Sequence, residues 1–130
     1  MEKISSDDFV KEKNPYQVCL EMAGATVLSF QDFSSCQGDW FAFVENQGKR
    51  YLVGGVYGSC SGCDAFQSES NYKDRTIAEW ESFCKTFGER YLNYPLDLGI
   101  ELKKFREQAK WDGDALEVIT FLEEGAKSLL

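Results

Sequence analysis

The stretch Asp39-Trp40-Phe41-Ala42-Phe43-Val44-Glu45-Asn46-Gln47-Gly48-Lys49-Arg50-Tyr51-Leu52-Val53-Gly54-Gly55-Val56-Tyr57 decides the fold. Two aromatic-rich runs, 39–45 and 50–57, flank Asn46-Gln47-Gly48-Lys49. Gln47-Gly48 has the composition of a two-residue hairpin loop, with glycine supplying a positive φ. Closing the loop there sets the register: Asn46 lies opposite Lys49, Val44 opposite Tyr51, Phe43 opposite Leu52 and Ala42 opposite Val53. Phe41 then faces Gly54 and Trp40 faces Gly55, so two large rings lie over bare backbone. Upstream, residues 25–33 read as another strand, alternating Thr26, Leu28, Phe30 and Asp32 with Val27, Ser29, Gln31 and Phe33. The expected sheet is a meander of three antiparallel strands.

Helices flank this meander. Asn14 has the chemistry of an N-cap, Pro15 suits the first helical position, and Gly24 suits a left-handed terminus. Tyr16, Cys19, Leu20 and Ala23 recur at helical spacing and form the buried stripe, which makes Cys19 a small core residue. Downstream, Thr76-Ile77-Ala78-Glu79 has the form of a capping box that opens a helix reaching about Tyr91. Its apolar stripe is Ile77, Trp80, Cys84, Phe87 and Tyr91, widened by Phe83. Pro95 starts a further element with Leu98, Leu102, Phe105 and Ala109 on one side. A last helix follows Asp112-Gly113-Asp114, with Leu116, Ile119, Leu122 and Ala126 along one side and Val118 and Phe121 beside them. Residues 66–73 are polar and read as a surface loop. The expected architecture is a single α+β domain over residues 1–130, a small antiparallel sheet packed against a C-terminal set of about three helices.

At 130 residues the chain is long enough to bury a core without disulfide staples. No run of about 18 apolar residues occurs, and residues 1–10 carry acids without an apolar signal segment. The reading is a cytoplasmic protein whose five cysteines stay reduced. The net charge of −8 disfavours nucleic acid and anionic membranes as ligands and suits a basic protein partner. Candidate contacts are the acids of the helical half: Glu101, Glu107, Asp112, Asp114, Glu117, Glu123 and Glu124.

The chemistry concentrates in Tyr57-Gly58-Ser59-Cys60-Ser61-Gly62-Cys63-Asp64. Thiols three positions apart on a glycine turn can hold one soft cation or join as a disulfide. Extending the hairpin register sets Ser35 opposite Cys60 and Cys36 opposite Ser59, which makes Cys36 a third sulfur at that end of the sheet. Cys84 supplies a fourth if its helix packs over the same end, and Asp64 or Asp39 can supply oxygen instead. A structural Zn²⁺ on Cys60, Cys63, Cys36 and Cys84 is the expected metal site. The competing readings are metal-free reduced thiols and a redox pair. Thioredoxin-like enzymes place such a pair at a helix start, whereas Gly62 and Asp64 favour a turn here. The chain has no histidine to serve as a general base, no G-x-S-x-G elbow and no P-loop. Asp39 and Asp64 near one sheet end form the remaining acid/base candidate, against which stands the ordinary solvated carboxylate.

The run Gln37-Gly38-Asp39-Trp40-Phe41-Ala42-Phe43-Val44, followed by Gly55-Val56-Tyr57-Gly58-Ser59-Cys60-Ser61-Gly62-Cys63-Asp64-Ala65-Phe66, resembles small phage and prophage proteins. These pair a Q-G-D strand with a Y-G-S-C-S-G-C-D-A-[LF] segment. The resemblance covers about the central quarter of the chain, and the pattern does not require Cys36 or Cys84. It implies a phage origin. Small acidic phage proteins without catalytic motifs are similar in character to anti-CRISPR proteins, including zinc-bearing inhibitors of type II effectors. The function implied is a non-enzymatic inhibitor in the host cytoplasm that binds a basic CRISPR effector nuclease and blocks nucleic-acid loading. The alternatives are a C-x-x-C thiol redox or metal-dependent enzyme, and a phage structural or regulatory module.

Overall fold

Gln47 and Gly48 both take left-handed backbone, with φ of 53° and 77°, the geometry that matches a tight hairpin to the twist of its strands. The computed structural model describes residues 1–33, 37–58, 64–71 and 73–130. In it the hairpin joins β2 (Gln37–Asn46) to β3 (Lys49–Gly58). Every expected pair from Asn46–Lys49 to Trp40–Gly55 is present, and the register runs on to Gln37 opposite Gly58. A Cβ added at Gly54 would lie 2.7 Å from the Phe41 ring, and one at Gly55 3.0 Å from Trp40 Nε1. The two glycines make room for those rings. β1 (Thr26–Phe33) pairs antiparallel with β2, giving the order β1-β2-β3.

One expectation for β1 fails. The register shifts between Val27 and Ser29, so simple alternation ends there. This β-bulge turns Val27 to the same face as Phe30, and both pack into one core cluster. Beyond the bulge, Ser29, Gln31 and Phe33 share the opposite face as expected.

Among the described residues six α-helices accompany the sheet: α1 (Ser6–Val10), α2 (Pro15–Met22), α3 (Ala65–Ser70), α4 (Ile77–Leu92), α5 (Leu98–Gln108) and α6 (Ala115–Ala126). The fold is α+β, with four of these helices C-terminal to the sheet. α2 begins at its Asn14 cap, whose side chain accepts a hydrogen bond from the Tyr16 amide. α4 carries the complete capping box of Thr76 and Glu79. The segment expected as a surface loop instead forms α3. It is only a turn and a half long, too short for a periodic pattern, and its start depends on the Asp64 cap and on burial of Phe66. Two stripe residues also differ. Ile77 is 56% exposed and Leu116 58%. In α4 the first turn overhangs the core, and α6 buries Ala115, Val118 and Leu122.

The sheet is covered on both sides. On one face Trp40, Ala42, Val44 and Val53 pack with α2, Phe66 of α3 and α4. On the other, Phe41, Phe43 and Leu52 pack with Phe105 of α5 and with α6. This explains the unbroken apolar run Trp40-Phe41-Ala42-Phe43-Val44, since a strand buried on both faces has no solvent side to mark by alternation. Leu96 donates its amide to the Leu52 carbonyl at 2.8 Å, which covers part of the outer edge of β3.

Candidate protein-binding cleft

Asp39 shares a face of β2 with Phe41 and Phe43, and it lies opposite Phe33 of β1. The turn joining α5 to α6 comes over that end of the same face. Together they enclose a cleft of about 320 Å³ lined by Phe33, Asp39, Phe105, Asp112, Asp114 and Glu117 among others. Four carboxylates therefore line one opening. Burial raises the pKa of the Asp39 carboxyl, and attraction to Lys104 offsets part of that rise. Asp112 is held by its surroundings: Oδ1 accepts from the Asp114 amide at 3.0 Å and Oδ2 from Gln108 Nε2 at 2.9 Å. Asp114 and Glu117 are exposed, and no salt bridge engages either of them among the described residues. In the same connection Trp111 stands 76% exposed.

The other acids of the helical half are placed differently. Glu107 pairs with Lys110, Glu123 with Arg106 and Glu124 with Lys127, at 3.1, 3.2 and 3.1 Å. Those charges are already answered locally. Glu101 Oε2 is buried and has no hydrogen-bond partner among the described residues. Of the seven acids read from the sequence as contacts, three line the cleft. Asp39, weighed there only as a metal ligand or acid/base group, joins them. Its place in the cleft follows from two segments far apart in sequence, and no local pattern signals it.

The acid/base pairing of Asp39 with Asp64 is not formed. Asp64 lies at the opposite face, where Oδ1 accepts from the Tyr16 hydroxyl at 2.7 Å, the Phe66 amide at 3.0 Å and the Gln67 amide at 3.2 Å. Asp64 is thus an N-cap, and α3 begins directly after it. The expectation of a turn without a following helix is corrected: Cys63 is followed by a helix start.

Cys36, Cys60 and Cys63 lie outside the described residues. Cys84 is described and fully buried on α4, where its sulfur meets the buried Cys19 of α2. The hydrogen bond from Cys19 lowers the pKa of Cys84, and the same bond, with burial, raises that of Cys19. Among the described residues no group of three or more His, Cys, Asp or Glu side chains is placed to hold a metal ion. No described helix is long and apolar enough to cross a membrane.

Comparison with protein-family models, with curated proteins and with solved structures found no match. The site stands on its own geometry.

Proposed function

We propose that this chain is a protein-binding inhibitor of the anti-CRISPR kind, acting in the host cytoplasm on the basic surface of a type II effector nuclease and blocking nucleic-acid loading. The observation that carries the reading is that Asp39, Asp112, Asp114 and Glu117 line one cleft, none of them in a salt bridge among the described residues. Such a cleft receives arginine or lysine side chains, and groups that normally hold phosphate have that chemistry. Long-range attraction from a chain of net charge −8 speeds the encounter.

A structural Zn²⁺ on Cys60, Cys63 and Cys36 belongs to the same proposal and rests on their sequence spacing. Cys84 is not included, because Cys19 engages it in the core. Zinc would fix the segment that leads into α3. Elemental analysis of the purified protein and of Cys60→Ser and Cys63→Ser tests this, and a stoichiometry unchanged by both substitutions rejects it.

Inhibition is tested by effector cleavage and DNA-loading assays over a range of salt. The expected result is inhibition at low salt that weakens as salt rises. Asp114→Asn with Glu117→Gln should lower affinity about tenfold, while Glu123→Gln and Glu124→Gln change it less than about twofold. Unchanged cleavage and loading at low salt would reject the reading.

A second reading is supported by the helix start after Cys63. A thiol redox enzyme uses a helix N-terminus to stabilise a thiolate, and α3 begins at Ala65. It requires one of Cys60 and Cys63 to alkylate much faster than an ordinary thiol. Uniformly slow alkylation excludes it.

A further inference from the structure

Cys19 and Cys84 come from different helices and meet in the interior, with 1% and 0% of their surfaces exposed. Both belong to one core cluster, on two helices that pack against each other, and each thiol shifts the other's ionisation. Gly88, one turn after Cys84 on the same stripe of α4, accounts for the closeness. A Cβ placed there would fall 2.0 Å from the Cys19 carbonyl oxygen, so the backbones of α2 and α4 touch at this point. A disulfide requires Cα atoms about 4.4–6.8 Å apart, and the close approach of α4 to Cys19 at Gly88 brings the two helices toward such a separation.

We propose that Cys19 and Cys84 form an oxidisable dithiol, which hydrogen peroxide converts into a disulfide fastening α2 to α4. Burial selects the oxidant. A water-sized peroxide can enter through local opening of the helix pair, whereas a tripeptide disulfide cannot. One sulfur, as thiolate, attacks a peroxide oxygen; an S–O bond forms, the O–O bond breaks, and the departing hydroxide takes a proton to become water. The second sulfur then attacks the sulfenic sulfur, the S–O bond breaks, and a second water leaves with the remaining thiol proton. Overall, two thiols and one peroxide give one disulfide and two waters.

The test uses the full chain treated with hydrogen peroxide, quenched, unfolded and alkylated. Digestion with trypsin and a glutamyl endopeptidase separates Cys19 from Cys36 by cleavage after Glu21, and mass spectrometry maps the products. The expected product is a peptide pair joined through Cys19 and Cys84, two hydrogens lighter than its free components. The oxidised chain should also unfold at a higher midpoint than the reduced chain, a difference that reductant removes. Cys84→Ser and Cys19→Ala should each abolish the link and the rise. Recovery of both residues as alkylated thiols, or of either as a sulfinic acid without the link, overturns the proposal. A midpoint that falls on linkage overturns the fastening role. The peptide map of the unsubstituted chain decides the matter even if a variant does not fold.

Discussion

The Tyr16 hydroxyl donates a 2.7 Å hydrogen bond to Asp64 Oδ1, and both residues are buried. It ties α2 to the cap of α3, so the residue that follows Cys63 is anchored to a helix near the start of the chain. The ring of Tyr16 also stacks on Trp40 with centroids 5.0 Å apart, which joins the same anchor to the sheet.

Tyr16→Phe separates the two roles. Phenylalanine keeps the stack on Trp40 and removes the hydroxyl, which donates to Asp64 and also accepts from the Phe66 amide at 3.3 Å. Asp64 keeps its two amide donors but loses a third, in a buried place where water cannot substitute. The expected loss of stability is about 2 kcal/mol, in the range for hydrogen bonds to charged groups. Urea unfolding followed by fluorescence measures it, and a loss below about 0.5 kcal/mol would show that Asp64 does not depend on Tyr16.

Alkaline pH probes the same place. Burial, reinforced by the hydrogen bond to Asp64, drives the Tyr16 pKa well above its ordinary value of 10.0, and burial pushes Tyr91 up to about 12. Above pH 10 the unfolded chain gives up phenolic protons that the folded chain keeps. The unfolded state then binds fewer protons, and stability falls with rising pH. The stabilisation is complete below the unfolded value and is lost as pH rises toward the folded values. Unfolding curves at pH 8, 10 and 11 should show a decline that begins near pH 10, and Tyr16→Phe should make it shallower. Equal slopes in the two proteins would reject the role of Tyr16.

Gly88→Ala sets two effects against each other. Alanine is the better helix former by about 1 kcal/mol, yet its methyl group would fall 2.0 Å from the Cys19 carbonyl oxygen. The obstacle is backbone, which cannot rotate away, so α2 and α4 must separate and loosen Trp80, Phe87 and Tyr16 around them. Overpacking of this kind costs about 1–3 kcal/mol, and the steric effect wins. Thermal unfolding of the variant checks the sign: a midpoint at or above that of the parent chain would mean that the helices have room to part.

The parts of this fold that could be read beforehand are those set by neighbours in sequence. A two-residue loop leaves one register for its strands, so the pairing from Asn46–Lys49 to Trp40–Gly55 was legible. Asn14 and Thr76 likewise announce their helices by local hydrogen bonds. What escaped depends on distant partners. The bulge at Leu28 lets Val27 join Phe30 in the core, and no feature of residues 25–33 encodes it. α3 exists because Asp64 finds Tyr16 and Phe66 finds Trp80, Phe83 and Phe87. The cleft joins Asp39 to carboxylates at the far end of the chain. Cys19 is legible as a core residue and Cys84 as a member of the apolar stripe, although the sequence also offers Cys84 as a fourth zinc ligand; their meeting depends on Gly88.

Asp39 provides the last test, because burial and charge act on it in opposite directions. Burial raises its carboxyl pKa above 3.8, and Lys104 offsets this only in part. A raised folded-state value means that the folded chain holds this proton more tightly than the unfolded chain. The stabilisation from that proton is present below the unfolded value of 3.8 and disappears as pH rises through the folded value. At neutral pH the ionised Asp39 is therefore a net cost. Asp39→Asn keeps the shape and removes the charge, so it should stabilise the protein at pH 7. The gain should shrink as pH is lowered and vanish below the unfolded value. If the lost attraction to Lys104 were the larger effect, the variant would be less stable at pH 7, and denaturant unfolding at pH 7 and pH 4 distinguishes the two. The same substitution should weaken docking of a basic partner while strengthening the fold, since the charge that costs stability is one that would bind an incoming cation.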